Sequence, residues 1–232
     1  MNRYPVLFAA SMLLVGLTAR AADHVSTGAG LGTVQDQYRS SCGEYHFNAD
    51  GTYEFGYAWE NRGVVAPDFG AFAERYELVS QYPCAVILDL TQVGTQAGET
   101  MDLYTWDELQ GRPAAVLGVT VGFDPGPVAV WPEVSRHVGR IPTNCSDSGV
   151  TWIGYWGNWP GERAGWYIGA DLDGPGGYPF TNIVQGLGYP SGWNHVSVVW
   201  GLTQALGIGA EFTECFMPVQ KSSWGEIKSL YK

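Results

Sequence analysis

VTWIGYWGNWPGERAGWYIGADLDGPGG, residues 150 to 177, is the stretch whose reading decides the fold. Val150, Trp152, Gly154 and Trp156 alternate with Thr151, Ile153, Tyr155 and Gly157. That period of two sends successive side chains to opposite faces of a strand. Pro160 and two glycines interrupt the pattern between Asn158 and Gly165, where regular pairing breaks. Trp166 to Leu172 resumes as a second aromatic strand, and Asp173-Gly174-Pro175-Gly176-Gly177 ends it. The whole reads as a hairpin carrying four of the chain's ten Trp. So much indole either fills a core or offers a stacking platform.

The surrounding chain speaks the same language. Among 232 residues there are 32 Gly and 13 Pro, with 14% aromatic and only 15% charged side chains. Long surface helices need more Lys, Glu and Arg than that. The length suits one large all-β domain with a core of its own. Tyr45 to Trp59 reads as a hairpin around Asn48-Ala49-Asp50-Gly51, whose Asp-Gly supplies the positive φ of a tight turn. Phe72 to Leu78, Met101 to Trp106, Ala114 to Gly122 and Val134 to Ile141 are further expected strands. Cys84 to Val93 is the most β-branched run and so the expected buried central strand. Strands are also expected at His195 to Trp200 and Leu206 to Phe212, with loop from Pro179 to Gly192 and an extended lead-in from Asp23 to Ser40. Roughly ten short strands with Gly/Pro turns predict a β-sandwich of jelly-roll type.

Both ends are read differently. Residues 1–21 have a short basic start, an apolar run from Val6 to Leu17 and Ala19-Arg20-Ala21, the layout of a cleaved signal peptide. The apolar run is short for a bilayer span, and no later stretch is long and apolar enough to be one. The single sandwich domain is then 22–215. Within 216–232, Ser223-Trp224-Gly225-Glu226 has capping-box spacing, and Trp224, Ile227, Leu230 and Tyr231 form an apolar stripe. A short amphipathic helix is expected there after a linker at Pro218, packed on the sandwich or used for docking.

Cleavage would remove Arg3 and Arg20 and no acid, taking the formal charge from −11 to −13. That excludes the basic footprint that nucleic acid or anionic lipid requires. Cys42, Cys84, Cys145 and Cys215 are an even set in an exported chain, so two disulfides are expected, with three possible pairings. Cys42 and Cys215 flank the first and last strand regions, which favours Cys42–Cys215 with Cys84–Cys145. Their wide spacing resembles no zinc or redox motif.

DGTYEFGYAW, DPGPVAVWPEVSRHVG, IGYWGNWPGERAGWYIGADLDGPGG and the closing SWGEIKSLYK together resemble a group of uncharacterised secreted bacterial β-sandwich proteins. The resemblance spans nearly the whole mature chain. It implies a secreted sandwich and carries over no catalytic residue.

Catalytic motifs are missing: there is no GxSxG, and the four His show no HExxH. His137 follows Ser135 closely, but triad partners meet in space rather than in sequence. Asp171 and Asp173 point to one face if the strand runs through them, so a Ca²⁺ site or part of a glycosidase pair is one reading. The plainer reading of DLDG, as of NADG at 48–51, is a turn in which Asp caps its own backbone. Trp131, Trp159 and Trp193 lie in or beside loops and are the candidate exposed rings. The functional expectation is a non-catalytic secreted protein that binds glycan or another surface ligand through loop aromatics. The alternatives are a structural or adhesive surface component docked by its tail and, third, a hydrolase using Asp171 or Asp173.

Overall fold

Strand alternation dominates the structure, a computed structural model that describes residues 22–25, 32–35, 42–59, 70–93, 100–146, 148–157 and 165–215. The expected signal peptide, 1–21, and the expected C-terminal helix within 216–232 lie outside these residues. In chain order the first strands are β1 (Ala22–Val25), β2 (Gly32–Gln35), β3 (Glu44–Phe47), β4 (Thr52–Tyr53) and β5 (Phe55–Trp59). Next come β6 (Ala71–Glu77), β7 (Gln81–Thr91), β8 (Met101–Leu109), β9 (Arg112–Phe123) and β10 (Glu133–Arg140). The remainder adds β11 (Val150–Gly157), β12 (Tyr167–Asp171), β13 (Phe180–Ile183) and β14 (Gly192–His195). A short helix α1 (Ser197–Trp200) precedes β15 (Ala205–Leu206) and β16 (Ile208–Glu214).

Two sheets result, and they pack face to face as an all-β sandwich. The larger follows the order β1-β5-β12-β7-β10-β2-β4, with β15 joining at β12, β16 at β7 and β3 at β16. The smaller runs β14-β13-β6-β11-β8-β9. Val86, Leu88 and Leu90 of β7 share one core with Phe72 and Tyr76 of β6, Leu103 of β8 and Tyr155 of β11. The expected central strand is indeed central, since β7 pairs with β10, β12 and β16.

The two expected hairpins are not hairpins. β11 lies between β6 and β8 in the smaller sheet, whereas β12 lies between β5 and β7 in the larger. Every residue of β11 and β12 is buried. Strands covered on both faces belong inside sheets, and each finds its two flanking partners in a different one. β11 and β12 therefore lie in opposite layers of the sandwich. Tyr45 to Trp59 likewise divides: β3 pairs with β16, β4 with β2, and β5 with β1 and β12. The tight turn survives, with Gly51 at φ 91° and the Asp50 Oδ1 accepting the Thr52 N–H. The expected loop 179–192 contains β13, the lead-in contains β1 and β2, and the strand expected at 195–200 gives way to α1.

The smaller sheet curls. Its edge strands β9 and β14 approach one another, and the Trp193 ring of β14 meets the Trp106 ring of β8 edge-on at 5.2 Å. The curl encloses a second aromatic cluster of Tyr104, Trp106, Trp152 and Trp156 on the face turned away from the main core. β9 leaves Val116, Val119 and Val121 exposed. Its register against β8 shifts at three places, and such bulges twist an edge strand out of the flat form that invites pairing.

The disulfides are Cys42–Cys84 and Cys145–Cys215, which corrects the pairing expected from the sequence. All four cysteines are used, as expected, and the reason for the exchange is β16. That strand runs antiparallel to β7 as far as Glu214 opposite Gln81, carrying Cys215 beyond the start of β7, where its N–H bonds Ser80 O. Cys42 instead crosses β16 directly, because Gly43 has no Cβ to meet the Phe212 carbonyl. Formed disulfides are the habit of oxidising compartments. Among the described residues no helix is long and apolar enough to cross a membrane.

Candidate functional site

Of the sequence-predicted rings, the two among the described residues, Trp131 and Trp193, are drawn into aromatic packing. Trp131 is buried with Tyr53, Val134 and Tyr167 on the outer face of the larger sheet. Its ring fills the space that a Cβ on Gly32 would need. The expectation that Trp131 is exposed is therefore corrected: proximity to a loop does not keep an indole out of a satellite core. Trp193 is half-buried against Trp106. Trp159 lies outside the described residues.

Asp171 caps the turn that follows it, as the plainer reading of DLDG expects. Asp171 is fully buried, and its Oδ1 accepts the N–H groups of Asp173 at 3.1 Å and Gly174 at 2.6 Å. Its Oδ2 accepts the N–H of Asp50 at 3.0 Å. Glu54 comes close enough that one carboxylate oxygen each from Glu54, Asp171 and Asp173 lie within 4.8 Å of one another. Glu54 Oε2 itself accepts the Leu172 N–H at 2.7 Å, and burial, ahead of the charges of Asp173 and Asp171, raises its pKa. The Asp171 oxygens are thus filled by backbone donors. They hold turns together and are not presented to a sugar or to solvent.

His137 and Ser135, neighbours on one face of β10, do meet. Ser135 Oγ lies 2.7 Å from His137 Nε2, and His137 Nδ1 lies 2.7 Å from Pro125 O. A carbonyl can only accept, so Nδ1 carries the hydrogen and Nε2 receives the Ser135 hydroxyl. Burial lowers the His137 pKa and keeps the ring neutral. Ser135 Oγ also accepts the Ala129 N–H at 2.9 Å. The imidazole is nearly covered, so the pair fastens the loop before β10 to that strand.

Among the described residues, polar and aromatic groups come together in a groove of about 310 Å³ between the end of β3 and β6. Its lining includes His46 and Asn48 from the end of β3, Arg75 and Glu77 from β6, and Gly177 and Tyr178 from the segment after β12. Tyr178 is 55% exposed. The Arg75 guanidinium lies 5.3 Å from its ring centroid, in cation–π range. Arg75 is itself fixed: Nε donates to Glu108 Oε2 at 2.6 Å and Nη1 to Glu77 Oε2 at 3.2 Å. One ring face is braced while the side chain as a whole stays open to solvent. His46 Nε2 is buried without a hydrogen-bond partner, 3.9 Å from Glu44 Oε2. Two carboxylates, Glu77 and Glu108, hold the Arg75 guanidinium and offset its charge, so the groove has no free cation to draw an anion among its described side chains.

Under the groove floor lies Glu74, fully buried. Burial pushes its pKa up to about 7 against the pull of its hydrogen bonds. Perturbed acids beside a pocket mark functional sites more often than plain surface does. Sequence reasoning passed over this group, although the alternation Phe72, Glu74, Tyr76 already put an acid on the apolar face of a strand. Tyr178 left no such signal. Its role depends on where the turn at 173–177 delivers it.

The chain matches no family model, no curated protein and no solved structure.

Proposed function

We propose that this is an exported, non-catalytic protein that binds a neutral carbohydrate in the groove bounded by Asn48, Arg75 and Tyr178. The observation that carries the reading is the Tyr178 ring, exposed at the rim and braced by Arg75. A pyranose offers an apolar face to such a ring and hydroxyls to the polar groups around it. Asn48, His46 and Glu77 supply donors and acceptors of that kind within one groove. Glu77 and Glu108 beside Arg75 disfavour uronate or sulfated sugars by like charge. Export is supported by the signal-like start and by two formed disulfides. The resemblance to secreted bacterial sandwiches points the same way.

A glycan array with the mature protein tests the reading, followed by calorimetry on any neutral hit. Tyr178→Ala is expected to weaken binding about tenfold or more, equivalent to about 1.4 kcal/mol. An array without neutral hits, or a hit indifferent to Tyr178→Ala, would sink the idea.

A further inference from the structure

The Phe72, Glu74, Tyr76 face of β6 places a carboxylate between two aromatics of the main core. A buried ion persists only where its lone pairs are filled. Those of Glu74 are filled from three separate segments. Oε2 accepts Asn48 Nδ2 at 3.1 Å and the Tyr178 N–H at 2.9 Å, and Oε1 accepts the Leu206 N–H at 2.7 Å. Asn48 and Tyr178 both line the groove. Gly177 completes the unit, since a Cβ there would stand 2.7 Å from Glu74 Oε2 and 2.8 Å from the Asn48 Cβ.

All three neighbours are donors, as is the backbone N–H of Arg75. A proton added to Glu74 therefore either displaces one of them or stays buried without an acceptor. Both results slacken the hold on the walls. The remaining titratable and charged groups stand elsewhere around the site. Tyr76 on the same strand donates its hydroxyl to Ile208 O, and Arg75 and Glu77 point to the opposite face. β3 brings His46, beside Glu44 and Tyr45. The 176–178 segment brings the Tyr178 phenol, while β15 and the facing Ile153 of β11 bring only apolar side chains.

We propose that Glu74 is the positioning residue of the groove: ionised, it clamps Asn48 and Tyr178 in the binding geometry, and protonated, it releases them, so that ligand binding is proton-linked. The ligand part rests on the groove being the binding site. The clamp itself does not. Burial of the acid places the change near neutral pH.

The test is a ¹⁵N–¹H titration of the full mature protein from pH 5 to 9. The amides of Tyr178 and Leu206, far apart in sequence, are expected to shift with one common midpoint. That coupling is expected to vanish in Glu74→Gln and to persist in His46→Asn. Different midpoints for the two amides in the wild type, or an unchanged transition in Glu74→Gln, would overturn the clamp; the wild-type comparison needs no variant to fold. In parallel, cellohexaose and N-acetylchitohexaose are titrated by calorimetry at pH 5.5 and 8.5. About tenfold tighter binding at the higher pH supports the linkage, and equal affinity at both overturns it. Shared amide midpoints with no binding of either sugar at either pH support the clamp and reject the carbohydrate reading.

Discussion

Asp171 joins to Asp50 across the molecule: its buried carboxylate accepts the Asp50 N–H at 3.0 Å while capping its own turn at Asp173 and Gly174. The turns NADG and DLDG, 121 positions apart, are thereby one structural unit. They sit beside the groove, since Asn48 begins the first turn and Gly176 to Tyr178 follow the second. Asp171→Ala would leave three backbone N–H groups without their acceptor. A loss of about 3 kcal/mol is expected, read as a lower urea midpoint at unchanged slope. A loss under about 0.5 kcal/mol, the range of ordinary surface changes, would show that the turns stand without it.

A second buried acid is tied differently. Asp89 on β7 receives Arg136 of β10 through both oxygens at 2.7 Å, and Tyr53 adds its hydroxyl at 2.5 Å. Arg136 also lies 4.6 Å from the Phe47 ring centroid. Removing the guanidinium strands a buried charge, so Arg136→Ala is expected to cost about 3–5 kcal/mol. The double change Arg136→Met with Asp89→Leu is expected to recover much of that. Equal loss in single and double variants would point to packing rather than charge.

What the sequence exposed and what it hid follow from one distinction. Alternation in MDLYTW and the β-branched run CAVILDL are local, and β8 and β7 appear where those patterns lie. Pairing is not local. VTWIGYWG and WYIGADL look like neighbours, yet each is buried on both faces and takes partners from a different sheet. Trp131 shows the same limit, because the side chains that cover it come from β4 and β12. Asn48, Glu74 and Tyr178 meet only once β3, β6 and the 173–177 turn are assembled.

The disulfides offer a direct check of that assembly. Non-reducing digestion and mass spectrometry should yield Cys42 linked to Cys84 and Cys145 linked to Cys215. Any other linkage would contradict the placement of β16 between β3 and β7. The bonds close separations of 42 and 70 residues. Chain-entropy reasoning gives about 4 kcal/mol for loops of that size. Cys145→Ala with Cys215→Ala is accordingly expected to lower stability by about 4 kcal/mol, measured in denaturant without reductant.

Glu74 also predicts how stability as a whole responds to pH. Its pKa rises from 4.5 in the unfolded chain to about 7 in the fold, so the folded state holds the proton more tightly. Its contribution is complete below about pH 4.5 and is lost as pH rises through 7, a change on the order of 3 kcal/mol. His137 acts in the opposite sense. Burial lowers its pKa from 6.5, so its contribution is present above that value and is lost as pH falls below it. The two are separable by substitution. Glu74→Gln should flatten the decline between pH 4.5 and 7 in urea titrations, leaving the acid-side loss due to His137, which a further His137→Gln would remove. The fold thus gains from the proton that the groove walls lose by, because relief of a buried charge is felt by the whole core while the missing acceptor is felt only at Asn48, Arg75, Tyr178 and Leu206. A stability profile unchanged by Glu74→Gln would mean that this carboxylate stays ionised throughout, and the pH sensitivity of the groove would have to lie elsewhere.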